Sequence, residues 1–494
     1  MIQQVKTVSK ETIIYGLGSA ASSIVSFFLI PLYTKFLSPE EYGYLAVLAV
    51  VQTLVEITAV FGLSSGLFRY FLMAENEEEK KTVLMTCVGM QAAAIVVVGA
   101  LTLPFSSALS ISLFGTESFS TNLAFASLTG LFAAFGNLFY SILRAEQKSV
   151  RFAVLQVIKI VLLASTNIYL VAVLHLNYSG IVLGNMLVFM VLSILVPLSF
   201  VQELKFTFSS RYVPKLLRFV YPIYLVNIFF YVVNLSDRFF LNHYTSPHEV
   251  GVYSLGYKIG TAVMALLISP FSTAIVPYAL SIAKQENFRW AFAKIIKYFF
   301  LLAVYISLGI FLFSPEIIRV VSNPSYADAS QVVGLILLSS LFYGLYYSVS
   351  IAIDIVEKTR LATVVVFCGA IVSLGLNFYA VPRIGMVGSA VASCVSNGVL
   401  LVLMYYVAQK NLPLQYEYTA FLKLIGIVTG CVVLYYAIGV WEANVWGRIG
   451  LKALVYALFP VSLVVVRVLD LDEREVIVKV FQRYLPIKKG TAER

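Results

Sequence analysis

Ser38-Pro39-Glu40-Glu41-Tyr42-Gly43-Tyr44 and Ser246-Pro247-His248-Glu249-Val250-Gly251-Val252 stand 208 residues apart and share four identities. The first follows the first long apolar run of the chain and the second follows the seventh. Other matches keep step with them. Glu146, Lys148 and Arg151 resemble Glu357, Lys358 and Arg360; Asn167-Ile168-Tyr169 resembles Asn377-Phe378-Tyr379; Gly180 maps to Gly388. Their offsets of 208 to 211 residues point to duplication of a six-span unit. Six is even, so both copies run through a membrane in the same sense, and the expected architecture is two parallel six-helix lobes related by an axis along the membrane normal.

Composition requires the membrane. Of 494 residues 60% are hydrophobic and only 12% charged, with a mean hydropathy of +0.89, whereas a soluble chain carries roughly 25% charge. Apolar runs of crossing length lie near 12–34, 43–68, 82–104, 119–141, 153–174, 180–201, 217–242, 251–279, 295–314, 331–353, 361–381, 387–407, 421–440 and 449–468. The fold class expected is an all-α polytopic membrane protein of about 14 transmembrane helices. It divides into an N-terminal six-helix lobe (1–210), a C-terminal six-helix lobe (211–410), two additional helices (411–470) and a cytoplasmic amphipathic tail (471–494). In that tail Val476, Ile477, Val480, Phe481, Tyr484 and Leu485 form one helical stripe between Lys479, Arg483 and Lys488, the pattern of an interfacial helix.

The net charge of +10 does not indicate nucleic acid, because the basic residues sit in short runs between spans. About 27 of the 35 fall at the N-terminus, in the loops after even-numbered spans and in the tail, which puts both termini in the cytoplasm. The connections on the other side are short, the largest near 315–330, too little for a folded outer domain. Cys87, Cys368, Cys394 and Cys431 lie inside apolar stretches without metal-ligand spacing, so neither a disulfide nor a metal site is expected. No phosphate-cradling glycine loop ending in Lys-Ser/Thr occurs, which argues against ATP as a direct energy source. His248-Glu249 begins like a zinc-protease motif but ends on Val252, and Asp470-Leu471-Asp472 belongs to the charged tail.

The opening stretch from Gly16 to Tyr44, with Pro31-Leu32-Tyr33 and Leu37 through Gly43, resembles the first-span signature of the polysaccharide flippase family. Asp237-Arg238, Gly251-Val252-Tyr253 and Lys258 resemble its mid-chain signature. That family belongs to the multidrug/oligosaccharidyl-lipid/polysaccharide exporter superfamily. The resemblance implies a bacterial inner-membrane protein that moves undecaprenyl-diphosphate-linked oligosaccharide outward for O-antigen, capsule or exopolysaccharide, with other polysaccharide assembly proteins as partners. Many members have twelve spans, so the extra pair leaves room for a neighbouring subfamily such as the lipid II flippases.

Charges inside spans narrow the site. A charged side chain at the bilayer centre costs about 2.5–3.5 kcal/mol on insertion scales, so each needs a partner or a watered cavity. Asp237 and Arg238 precede the second turn by about as many residues as Lys258 follows it, which puts all three at one depth. Either Arg238 and Lys258 bind a diphosphate with Asp237 balancing them, or the group is a neutralised bridge within the hairpin. Glu56 is either a site for proton or sodium coupling or a hydrogen-bonded core residue. Arg69 and Lys159 are further candidate phosphate contacts, with interfacial anchoring as the plainer role. Arg144, Lys148 and Arg151 share one face if their helix continues, as a head-group entry site or a topology signal. Tyr221, Tyr224, Tyr231 and Tyr253 are candidate sugar-stacking rings. No cofactor is expected apart from a coupling Na+ or H+. The rival readings are a drug/cation antiporter of the same superfamily, in which Glu56 and Asp237 bind the cation, and a membrane glycosyltransferase or polymerase, which the short outer loops disfavour.

Overall fold

A computed structural model describes residues 27, 29–198, 200, 207–283, 285–356, 358–441 and 444–469. The proposed amphipathic tail and about two thirds of the first apolar run lie outside the described residues. All regular structure among the described residues is helical. Twelve helices there are long and apolar enough to cross a membrane, and one of them, Arg360–Asn411, holds two of the expected spans. Within it Ile384 and Gly385 leave helical geometry. Residues 381 and 387, where two apolar runs meet in the sequence, bracket that break.

The first repeat begins with α1 (Ile30–Phe36) and α2 (Pro39–Val60), followed by α3 (Leu63–Met73), α4 (Glu77–Thr102), α5 (Ser106–Phe114), α6 (Ser120–Ala145), α7 (Ser149–Ile168) and α8 (Asn177–Leu198). The second begins with α9 (Tyr212–Leu235), α10 (Asp237–Tyr244), α11 (Pro247–Gly260) and α12 (Ser269–Ile282). It continues through α13 (Phe288–Leu312), α14 (Ser314–Val321), α15 (Ser330–Ile355) and α16 (Thr359–Asn411). Two further helices, α17 (Tyr418–Trp441) and α18 (Val445–Val465), close the described chain.

The repeated turns start helices for a local reason. Ser38 Oγ accepts from the Glu41 amide at 3.2 Å, and the Glu41 carboxylate accepts from the Ser38 amide at 2.9 Å. This is a reciprocal capping box with Pro39 in the first turn, where its missing N–H costs nothing. In the second copy Ser246 Oγ accepts from the Glu249 amide at 3.3 Å, but Glu249 spends its carboxylate elsewhere. It accepts from the Met386 amide at 3.2 Å, one residue past Gly385 with φ of +54°. The second turn thereby holds the break in α16.

Packing groups the helices into two compact units, Met1–Gln285 with Ser314–Pro413 and Glu286–Phe313 with Leu414–Arg494. The divisions at 210 and 410 are those of the sequence repeat; by packing, α13 joins α17 and α18. In that smaller unit the buried Lys297 ammonium donates to Glu417 at 2.5 Å, and the Tyr305 and Tyr456 rings stack with centroids 4.5 Å apart. In the larger unit α2 of the first repeat packs along α11 of the second. Tyr326, fully buried, donates its hydroxyl to the carbonyls of Leu37 and Ser38 at 3.2 and 3.0 Å. The short connection near 315–330 is thus a lid of α14 and a 3-10 turn on the first repeated turn rather than a domain.

Candidate substrate cavity

Between α9 and α10 the backbone stays helical at Ser236 (φ −65°, ψ −23°) but the hydrogen-bond ladder is locally interrupted, and an interruption inside a span frees a carbonyl that lipid cannot satisfy. The Asn234 carbonyl is the freed group. Arg238 Nη1 donates to it at 2.9 Å, and the Tyr257 hydroxyl donates to it at 3.0 Å. The Arg238 amide, without its helical acceptor, donates to Asp237 Oδ1 at 2.9 Å. That same oxygen receives Arg238 Nη1 at 2.7 Å, and Asp237 Oδ2 accepts the Tyr253 hydroxyl. The guanidinium lies 3.9 Å from the centroid of the Tyr257 ring and 5.4 Å from that of Tyr253. Asp237 and Arg238 are 1% and 6% exposed, so the pair is desolvated as well as closed. Removing one partner from such a pair costs about 3–5 kcal/mol, because it strands the other charge.

Next to this brace is a cavity of about 310 Å³, at the small end of the range for ligand sites. Tyr42, Ala46, Ala49, Val50 and Thr53 of α2 form one wall, and Leu235, Arg238, Ser254, Tyr257 and Lys258 of the second repeat form the other. Tyr33 of α1, Leu45 and Thr261 complete the described lining. The Tyr231 hydroxyl donates across to the Val50 carbonyl at 3.0 Å and closes one flank. Among the described residues that line it, none is acidic. The Lys258 ammonium sits 6.0 Å from the Tyr33 ring centroid and has no carboxylate or hydrogen-bond partner among the described residues. Tyr33 in turn receives a hydrogen bond from Asn167 Nδ2 at 2.9 Å, so its ring is held in place from the first repeat.

A second charged group lies within the first repeat. Glu56 Oε1 accepts from Asn137 Nδ2 at 2.7 Å. The Lys159 ammonium of α7 acts on Glu56 electrostatically without forming a direct ion pair, and it lies 5.7 Å from the Tyr140 ring centroid. Gly130 allows α6 to come this close: a Cβ there would meet the Gln52 carbonyl at 2.6 Å. Neither Glu56 nor Lys159 lines the cavity.

The remaining sequence candidates sit apart. Arg69 is exposed on α3 with its guanidinium 4.7 Å from the Phe219 ring centroid. Arg144, Lys148 and Arg151 do not share one helical face, because the chain turns between α6 and α7 with Gln147 at φ +58°. Arg144 Nη2 donates to Ser141 Oγ at 3.0 Å, Lys148 pairs with Glu146 at 2.8 Å, and Arg151 lies 5.4 Å from the Phe200 ring centroid. Tyr221, Tyr224, Tyr231 and Tyr253 do not line the cavity. Tyr33, Tyr42 and Tyr257 do; of these Tyr33, in Pro31-Leu32-Tyr33, and Tyr42, inside the repeated turn, belong to the stretches that carry the family resemblance, but nothing in the sequence singles either out as a cavity ring. Among the described residues no cluster of His, Cys, Asp and Glu comes together as a metal site, and the four cysteines are free thiols.

Residues 32–331 match a family described as polysaccharide biosynthesis protein. The chain belongs to that family. A relative from Haemophilus influenzae, Lsg locus putative protein 1, is 25% identical over 290 residues, covering 57% of this chain and 68% of the relative. Among solved structures, the lipid II flippase MurJ in an inward closed conformation superposes with a TM-score of 0.74 at 17% identity, covering 92% of this chain and 99% of MurJ. An inward-facing multidrug resistance MATE transporter of the MOP superfamily gives 0.66 at 15%, covering 81% of this chain and 94% of that one. This family member therefore has the all-helical fold shared by a lipid flippase and by multidrug transporters.

Proposed function

We propose that the protein flips a polyprenyl-diphosphate-linked oligosaccharide from the cytoplasmic to the outer leaflet of the bacterial inner membrane, for surface polysaccharide synthesis. The observation that carries this reading is the cavity between the two repeats. Among the described residues its charged lining groups are Arg238 and Lys258, and Lys258 has no carboxylate or hydrogen-bond partner there. An anion is the complementary ligand, and phosphate accepts charge-assisted hydrogen bonds from an ammonium. The rings of Tyr33, Tyr42 and Tyr257 offer stacking faces for the first sugars, while the lipid tail stays in the bilayer. Arg238 contributes field and shape, with part of its charge already spent on Asp237. Glu56, held by neutral Asn137 and near Lys159, is the carboxylate available for coupling to Na+ or H+. Arg69 and the loop cations Arg144, Lys148 and Arg151 are assigned to attraction of the anionic head group at the cytoplasmic face.

The test is the location of lipid-linked oligosaccharide in a deletion strain, read with an impermeant sugar-modifying reagent. Complete repeat units are expected to accumulate on the cytoplasmic leaflet and to clear when the gene is restored. Normal delivery to the outer leaflet together with heightened drug sensitivity would favour the drug/cation antiporter.

A further inference from the structure

The two copies of the repeated turn are each other's partner. A Cβ on Gly43 would stand 1.9 Å from the Pro247 carbonyl oxygen, and a Cβ on Gly251 would stand 1.8 Å from the Pro39 carbonyl oxygen. These two contacts interchange when each residue is replaced by its equivalent 208 positions away, which is the signature of an isologous interface. Glu40 and His248 are themselves equivalent positions, and they meet on this axis: His248 Nδ1 lies 2.8 Å from Glu40 Oε1, with the two side chains 43% and 48% exposed.

We infer that the repeated Ser-Pro-x-Glu-x-Gly turn is a self-complementary gate inherited from a symmetric pair of six-span units, with the Glu40–His248 contact as its latch. In a pair of identical units position 40 would face its own copy, carboxylate against carboxylate. Histidine in the second copy turns that repulsion into a hydrogen bond. The glycines bring backbone against backbone at the crossing itself, while Val47 shares a buried apolar cluster with Val250 and Tyr253, and Tyr326 caps the first turn, so parting the turns also separates these side chains. The latch closes the turn end of the cavity, whose nearest lining residue along α2 is Tyr42, and substrate leaving by that end requires the two turns to separate. This inference does not depend on which lipid the cavity carries.

The test uses the full chain in sealed vesicles, with Cys87, Cys368, Cys394 and Cys431 replaced by alanine and Thr53→Cys as a reporter in the cavity wall. Ser325→Cys, exposed at the turn end, identifies which face an impermeant maleimide is reaching. His248→Glu is expected to raise labelling of the cavity reporter from the turn end about two- to fivefold, the range a half-exposed pair supports. The swap Glu40→His with His248→Glu is expected to return it to the starting rate. An unchanged rate in His248→Glu, or a swap that labels like the single variant, would overturn the latch. If His248→Glu does not accumulate, His248→Gln is read in its place, with a smaller rise expected and no rise counting against the proposal. Independently, Glu40→Cys with His248→Cys should stop export under oxidant and recover it under reductant. Export that persists when the pair is fully crosslinked would show that the turns need not part.

Discussion

In the second repeat Asp237 and Arg238 meet at 2.7 Å, with both side chains almost fully buried and with the freed Asn234 carbonyl shared between Arg238 and Tyr257. In the first repeat Glu56 has, among the described residues, the neutral amide of Asn137 at 2.7 Å, and Lys159 acts on it from a distance. The first arrangement spends its charge on holding an interrupted helix together. The second leaves a carboxylate whose charge no direct ion pair answers. Lys258 belongs with the second kind, although it sits one residue from Tyr257, because among the described residues its ammonium meets the Tyr33 ring and no carboxylate or hydrogen-bond partner. Charges that look alike in the sequence thus divide into braces and available groups, and the division makes different demands on substitution.

The largest effect should come from breaking the brace. Arg238→Ala is expected to lower stability by about 3–5 kcal/mol, seen as loss of protein and an early unfolding transition in detergent. Asp237→Asn with Arg238→Gln should lie closer to the parent than either single variant. If Arg238→Ala unfolds like the parent but loses export, Arg238 is a ligand and the brace reading fails.

An available group should behave in the opposite way. Lys258→Met should leave protein level and unfolding unchanged while export falls about ten- to hundredfold, the worth of one charge-assisted hydrogen bond to phosphate. Lys258→Arg should retain much of it. Glu56→Gln is expected to cost no more than about 0.5–1.5 kcal/mol in stability and to abolish the response of export to an imposed Na+ or proton gradient. A response that survives in this variant moves coupling away from the first repeat. Smallest of all, Arg69→Ala removes an exposed ring contact and should change stability by no more than about 0.5–1 kcal/mol, with export slowed most when the lipid-linked substrate is scarce.

Which charges to look at was legible in the sequence, and the physical reason is cost; which of them pair closely and which do not was left open. A charge in a span is expensive, so Glu56, Lys159, Asp237, Arg238 and Lys258 stand out without any structure. Equal counts of residues on either side of the Ser246 turn were enough to bring Arg238 and Lys258 to one cavity. What the sequence left open is which face each helix presents. With 31 tyrosines and 36 phenylalanines in the chain, no count separates the cavity rings Tyr33, Tyr42 and Tyr257 from rings that pack elsewhere. Asn137 carries no charge and gave no signal as the partner of Glu56. The expected common face of Arg144, Lys148 and Arg151 fails because the chain turns at Gln147, where a left-handed backbone ends one helix before the next begins. The interruption of the ladder at Ser236 left no mark of its own, since no proline or glycine stands there and the backbone angles stay helical; only the Asp-Arg pair beside it could be read.

The proposed function rests on the Lys258 ammonium, without a carboxylate or hydrogen-bond partner among the described residues, as the group that would select a diphosphate, and flipping in proteoliposomes tests it most directly. Purified protein would be given a polyprenyl-diphosphate oligosaccharide, with the neutral polyprenyl-linked sugar as the control lipid. The expected result is rapid transfer of the diphosphate lipid alone, lost in Lys258→Met and kept in Lys258→Arg. Equal transfer of both lipids, or undiminished transfer by Lys258→Met, would contradict it.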